Sequence, residues 1–369
     1  MNSNDRSGKT SEFPSPSNDT QTSSGFKLYT WMQLMRIGNV FTVFANILMG
    51  YLVVSSDAGI LTLSAQDAWP LAGLLAATFC LYSSGMVLND VFDIEQDKEQ
   101  RSERPLVGLL AATFCLYSSG MVLNDVFDIE QDKAQRSARP LATGAISLRV
   151  AARFGMGLML AGILFASTAG LSGCLLGCAI AVSVLLYNRV LKKTPLAPLM
   201  MGMCRTLNVL LGMSYVDSQQ AMFCGFEKHH LLIAGGIGVF VAGLTWFART
   251  EARTSNRWLL SFGVAVMALG FVCLSSFPTD LAPSGRLQLK PDSVDLLFGV
   301  LAILILYRAV AAIFDPRPAR VQVGVVHCLR SLIFLDACVV AIVSHSNMAV
   351  LTIALLLPML TISKWIRTT

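Results

Sequence analysis

Apolar stretches of about 17 to 22 residues, the length a helix needs to cross the hydrocarbon core of a bilayer, recur along this chain. They fall near residues 31–54, 71–88, 106–123, 150–169, 172–189, 197–215, 231–248, 258–276, 295–313, 325–344 and 347–365. With 54% of residues apolar and 14% charged, a chain of 369 residues has too little polar surface to stay in water. In lipid each span must satisfy its own backbone, so windows of this length predict helices. The expected fold class is all-α, a polytopic membrane helical bundle of about ten spans plus one duplicated apolar segment that need not span.

Residues 1–27, rich in Ser, Asn, Asp and Thr, are expected to form a disordered tail. They lack the form of a signal peptide, so the first span is read as a helix of the fold. The cysteines lie almost entirely inside apolar spans and read as packing residues, Cys174 and Cys178 included. The net charge of +5 clusters at span ends, which points to topology and away from nucleic acid as a partner.

Residues 71–105 and 106–140 are identical except at Ala72/Val107, Glu99/Ala134 and Glu103/Ala138. Each copy holds one span and one polar loop, so a second spanning copy would invert everything after it. With one copy left out, the basic segments fall on one side: Arg6 to Lys27, Lys133 to Arg153, Arg189 to Lys193, Arg249 to Arg257, Arg308 to Arg320, and Lys364 with Arg367. The other side receives loops sparse in Lys and Arg, which is the pattern that orients a membrane protein. Ten spans fit and eleven do not. Both copies carry basic loops, so one apolar copy must not cross; a re-entrant or displaced segment satisfies this, and so does an assembly error in the sequence. Both termini are then cytoplasmic, in a membrane expected to be of the bacterial inner or plasma type.

The segment LNDVFDIEQDK occurs at 88–98 and again at 123–133. On a continuing helix Asp90, Asp93 and Asp97, or Asp125, Asp128 and Asp132, stand at i, i+3 and i+7, within roughly 60° of arc. Asn89 or Asn124 borders that face. Converging carboxylates repel unless a cation joins them, and hard oxygen donors suit Mg2+. Arg101 and Arg104, or Arg136 and Arg139, follow with guanidinium groups that match phosphate oxygens. The spacing reads as a metal–diphosphate cradle; a solvated, charged loop end that only sets topology is the other reading.

N-D-V-F-D-I-E-Q-D followed, after the second copy alone, by R-P-L-A-T-G-A-I-S (Arg139 to Ser147) resembles the first aspartate motif of the UbiA-type intramembrane prenyltransferase family. LMRIGNVFTVFANILMG, with Arg36, Asn39 and Asn46, looks like the family's first helix. LLYNRVLKKTPLAPLMMGMCRTLNVLLG, with Tyr187, Lys192, Arg205 and Asn208, looks like its fourth and fifth. The resemblance implies one transmembrane domain over 28–369. It implies Mg2+ held by Asp125, Asp128 and Asp132 beside Asn124, or by Asp90, Asp93 and Asp97 beside Asn89. The partners it implies are a polyprenyl diphosphate and a small lipophilic, aromatic acceptor. Arg136, Arg139, Asn39, Tyr187, Lys192, Arg205 and Asn208 become the expected substrate-binding residues. The complete R-P-x-x-x-G-x-x-S tail favours the second copy as the working one.

The family's second aspartate motif is altered. TWFARTEARTSNR offers Glu251 as its carboxylate, while Arg249, Arg253 and Arg257 recur at i, i+4 and i+8. Arg249, Glu251 and Arg253 join the expected substrate contacts, with guanidinium groups standing in for a second metal. This stretch resembles the EboC-like branch of the family. A non-catalytic export or scaffold component that keeps lipid-diphosphate binding is the alternative; a transporter of inverted repeats is excluded, because this repeat is same-sense and nearly identical. Arg205 near mid-span should face a polar cavity, and Asp336 needs a partner from a neighbouring helix, Arg330 being too far along its own. His229, His230 and His327 show no ligand spacing. Among the spans' aromatics, Tyr187, Trp246 and Phe247 are candidates for a prenyl tunnel.

Overall fold

The computed structural model describes residues 24–57, 104–135, 139–214, 225–251, 254–281, 287–344 and 346–365. The first repeat copy through residue 103, with Asn89, Asp90, Asp93, Asp97 and the window 71–88, lies outside the described residues, as do Arg136 and Arg253. Every regular element among the described residues is a helix, as the apolar windows require. Among the described residues eight stretches are long and apolar enough to cross a membrane, and the longest of them, Leu148–Leu191, contains two helices in series. The protein is an all-α polytopic membrane bundle.

In chain order α1 (Ser24–Leu34) leads through a 3-10 turn to α2 (Val40–Asp57). Its first residues fall inside the segment expected to be tail. The second repeat copy supplies all but the first two residues of α3 (Arg104–Phe127) and the short α4 (Ile129–Gln135); α5 (Leu148–Ala166) and α6 (Gly170–Leu186) follow. A π turn at Tyr187–Leu191 precedes α7 (Ala197–Met213). Then come α8 (Lys228–Ala248), α9 (Arg257–Ser276), α10 (Pro278–Leu281), α11 (Pro291–Phe314), α12 (Pro318–Val343), α13 (Ser346–Ala354) and α14 (Leu356–Trp365).

Local chemistry sets several of these ends. Ser147 accepts the Val150 N–H at the start of α5, and Asn256 accepts that of Trp258 at the start of α9. Proline stands in the first turn of α7, α11 and α12, where its missing donor costs nothing. His229 and His230 open α8: the Glu227 N–H donates to His230 Nδ1 at 3.1 Å, so the pair serves a helix start.

α2 is the centre of the bundle. Its span is 83% buried, against 28% for the span of α11 at the perimeter. It packs on α3, α7 and α12. The approach to α7 is close: a Cβ on Gly50 would come 2.6 Å from the Val209 carbonyl oxygen, and one on Gly212 would come 2.6 Å from that of Ile47. Small residues at such a crossing let backbones touch where lipid supplies no hydrophobic drive between helices. That contact seats α2, and with it Arg36 just upstream, beside the end of α3.

Candidate active site

The carboxylates sit where α3 passes into α4. The helical hydrogen-bond ladder runs on through this junction, with the Asp128 N–H donating to the Asn124 carbonyl at 3.0 Å and the Asp132 N–H to the Asp128 carbonyl at 2.9 Å. Asp125, Asp128 and Asp132 therefore keep one side, as their spacing predicts.

They do not close on one shared point. Among the described residues no group of three His, Cys, Asp or Glu side chains is drawn together tightly enough to hold a metal ion. Arg139 Nη1 instead bridges Asp125 Oδ1 at 3.0 Å and Asp132 Oδ2 at 2.7 Å. Arg36 Nη2 reaches Asp125 Oδ1 at 3.4 Å. Lys192 Nζ pairs with Asp128 Oδ2 and donates to Asn124 Oδ1 at 2.7 Å. Like charges on one helical face are relieved here by three cations from three other segments, which is the physical reason the carboxylates stand in separate ion pairs.

Three local devices bring those cations in. Arg36 has φ 48° and ψ 48°, a left-handed conformation that costs a residue with a Cβ about 1–2 kcal/mol. It is held between the Arg36 N–H to Gln33 carbonyl bond at 3.0 Å and the Asn39 N–H to Arg36 carbonyl bond at 2.9 Å. Strain of this kind persists where surrounding structure over-determines it, and it concentrates at functional sites. The second device is the π turn, in which the Lys192 N–H donates to the Tyr187 carbonyl at 2.9 Å. The extra residue re-aims the chain, placing Lys192 on the carboxylates and burying Asn188, whose Nδ2 donates to the Gly120 carbonyl at 3.4 Å.

The third is the R-P-x-x-x-G-x-x-S tail. The Thr143 N–H bonds the Arg139 carbonyl and the Gly144 N–H that of Leu141, while Gly144 takes φ 76°, a region open to glycine. The turn closes on the Ser147 cap of α5. Arg139 is thereby folded back under Asp125 and Asp132 and is 7% exposed.

Asp125 Oδ2, Asp128 Oδ1 and Asp132 Oδ1 take no hydrogen bond from any described residue. Magnesium is commonly held by one or two carboxylates together with water and substrate phosphate. Asp125 and Asp128, with the Asn124 amide oxygen, fit that donor set.

Other expected residues divide. Tyr187 starts the π turn within electrostatic reach of Asp128 and Arg36. Asn39 is hydrogen-bonded to the Tyr117 side chain, which is within electrostatic reach of both Arg36 and Arg205. Asn208, expected at substrate, is buried in a helix contact: its Nδ2 donates to the Val43 carbonyl at 3.1 Å and its Oδ1 accepts from Thr113. Arg205 donates through Nη1 to Asn46 Oδ1 and through Nη2 to Thr42 Oγ1, both at 2.8 Å. Asn46 Nδ2 in turn lies 2.8 Å from both oxygens of Asp336. The partner that Asp336 needs is therefore an amide on α2, backed by Arg205. Arg249 is exposed and Glu251 half-buried in the turn after α8. Phe247 is fully buried in packing, and Trp246 stacks edge to face on Phe262.

Sequence reasoning did not assign Arg36 to the carboxylates, nor Thr42, Asn46 and Tyr117 to any site. Lone polar residues inside apolar spans were the available signal.

Residues 103–257 match the UbiA prenyltransferase family, a match that contains the whole second repeat copy and reaches only the last residues of the first. Among solved structures, a digeranylgeranylglyceryl phosphate synthase shares the fold with a TM-score of 0.55, at 18% identity over 89% of this chain and 99% of that one. An apo UbiA homolog from Aeropyrum pernix K1 aligns with a TM-score of 0.52, at 14% identity over 81% of this chain and 97% of that one. A UbiA homolog from Archaeoglobus fulgidus, solved bound to DMAPP and Mg2+, aligns with a TM-score of 0.46, at 13% identity over 88% of this chain and 99% of that one. No curated protein matches the chain significantly.

Proposed function

We propose that this protein is a UbiA-type membrane prenyltransferase of the EboC-like branch, moving a prenyl group from a polyprenyl diphosphate to a small lipophilic, aromatic acceptor. One observation carries the reading: three carboxylates and three cations, gathered from four separate segments onto the end of one span. Such a set binds a cation and an anion together. The second repeat copy is the working one, since it alone leads into the turn that buries Arg139.

Asp125 and Asp128, with Asn124, would hold Mg2+, and Asp132 would keep Arg139 in place. Magnesium when bound would neutralise the diphosphate and make it a better leaving group. Arg36 and Lys192 would turn from the carboxylates to the diphosphate oxygens, and Arg139, still held by Asp132, would offer its remaining N–H groups to them, together holding the group whose charge grows as the allylic C–O bond breaks. The electron pair of that bond leaves with the diphosphate. The acceptor ring then supplies the electrons for the new C–C bond and loses a proton, so no protein nucleophile is required. Tyr187, beside Asp128, would present a ring face to the cation. Arg249 and Arg253 would supply the charge of a second metal, in a chain whose termini are cytoplasmic.

A non-catalytic lipid-diphosphate carrier is the second reading, favoured by Glu251 being the one carboxylate in the sequence of the turn after α8. Purified protein in detergent, given labelled prenyl diphosphates, a panel of phenolic acceptors and Mg2+, should release diphosphate. Tight Mg2+-dependent binding without release would favour the carrier. Absence of both would refute the site.

A further inference from the structure

The outer face of the bundle between α11 and α12 carries charge at a depth where lipid meets protein. The two helices pack antiparallel: His327 Nε2 lies 3.1 Å from the Leu304 carbonyl oxygen, and the Tyr307 and His327 rings meet edge to face at 5.3 Å. Arg330 lies near the middle of α12, about 18 Å along the axis from Pro318 at 1.5 Å per residue. That is mid-depth in a hydrocarbon core of about 30 Å.

Arg330 is exposed, and it shares its face with Val323, Val326 and Phe334, each more than 40% exposed. Cys328, Leu335 and Val339, on the opposite face, are fully buried. The guanidinium therefore points away from the core, among side chains that suit lipid. It makes no hydrogen bond or ion pair with any described residue. Arg308, level with it on α11 to within about two helical turns, is exposed too, and its Nε donates to the hydroxyl of its own neighbour Tyr307 at 2.6 Å. The acids nearest to these arginines in sequence are taken: Asp336 is fully buried on the other side of α12 and paired with Asn46, while Asp315 accepts from Arg317 Nε at 2.6 Å, a hydrogen bond that holds its carboxyl below the usual carboxylate range.

An arginine facing hydrocarbon at mid-depth is costly, and such residues mark a partner or a pathway. With Arg330 at the midplane of a core about 30 Å thick, a lipid phosphate would lie near the level of Arg320, about 15 Å along the same helix, so headgroups match Arg320 better than Arg330. A second copy of this chain is a poor partner, because the exposed acids Asp292 and Asp295 stand at the far end of α11. A carboxylate on another helix at mid-span has the right charge, depth and fork-matching geometry.

We propose that the α11–α12 outer face is a docking surface for a transmembrane helix of another protein bearing one Asp or Glu at mid-span, paired with Arg330. Ile303, Leu304, Tyr307, Val326 and Phe334 form the apolar walls against which that helix packs. The inference is independent of the chemistry at Asp125.

The test uses the full chain, donor-labelled, in phosphatidylcholine vesicles with acceptor-labelled single-span polyleucine peptides whose central residue is Glu, Leu or Lys. Energy transfer should show the Glu peptide associating at least about tenfold more tightly than the Leu peptide, the equivalent of one charge-assisted hydrogen bond. The Lys peptide should not associate. Arg330→Leu should erase the preference, Arg330→Lys should keep part of it, and Arg330→Gln provides a second neutral variant whose fold is checked by elution volume and unfolding. Equal binding of Glu and Leu peptides, or a Glu preference that survives both neutral substitutions, would overturn the proposal. So would enrichment of a labelled anionic lipid at Arg330 with no peptide preference, which would make the face a headgroup site.

Discussion

Replacing Asn46 by leucine should destabilise the bundle by about 1–3 kcal/mol, because it leaves the Asp336 carboxyl group without its donor in the most buried part of the protein. Asn46 and Asp336 are both fully buried, and the amide nitrogen is 2.8 Å from each carboxylate oxygen. Leucine fills a similar volume, so the effect isolates lost hydrogen bonds. A typical hydrogen bond contributes about 0.5–1.5 kcal/mol net, and leaving a buried polar group unsatisfied costs about 1–3 kcal/mol. Two effects pull the expectation below that upper figure. Arg205 stays bonded to Thr42 and within electrostatic reach of Asp336, and side-chain bonds between membrane helices average only about 0.6 kcal/mol. Asp336→Leu alone should leave Asn46 and Arg205 partly unpaired. The double variant should therefore lose less than the sum of the singles, with a coupling of about 1.5–3 kcal/mol. Reversible unfolding in mixed micelles measures all four corners of this cycle. A cost for Asn46→Leu under about 1 kcal/mol, or additivity within about 0.5 kcal/mol, would refute the argument that this network ties α2 to α7 and α12.

Asp125→Ala combined with Asp128→Ala, with Asp90 and Asp93 left intact, should abolish Mg2+-dependent binding of a prenyl diphosphate; full binding in that variant would assign the site to the first copy. Lys192→Met should weaken the same binding by about 1.5–3 kcal/mol and Arg139→Lys by less than Arg139→Ala, since lysine keeps the charge but not the fork; equilibrium dialysis with labelled ligand reads both. Deleting residues 71–105 should leave a folded protein with cysteines introduced near positions 192 and 320 still labelled from the cytoplasmic side, whereas labelling from the opposite side would mean that both copies span. Gly212→Leu should cost several kcal/mol in the unfolding assay, because its Cβ would meet the Ile47 backbone at 2.6 Å; an effect within about 0.5 kcal/mol would show that α2 and α7 can separate freely.

Much of the architecture is legible in the sequence because lipid makes secondary structure a local matter. A span must bond its own backbone, so an apolar window of the right length is a helix whatever surrounds it. The face shared by Asp125, Asp128 and Asp132 is equally local, a consequence of helical pitch, and so are the caps at Ser147 and Asn256. Which helix lies at the centre is not local. The span of α11 is more apolar than that of α2, yet it faces outward while α2 is enclosed, because lipid is as apolar as leucine and burial follows close fit at Gly50 and Gly212. The cations on the carboxylates are also decided by tertiary structure. Arg36 arrives through a left-handed turn, Lys192 through a π turn, and Arg139 through a loop folded back on itself, three backbone departures that spacing does not encode. Asp336 could be seen from its residue type to need a partner, but Asn46 stands 290 positions away, and only the packing of α2 against α12 brings the two together.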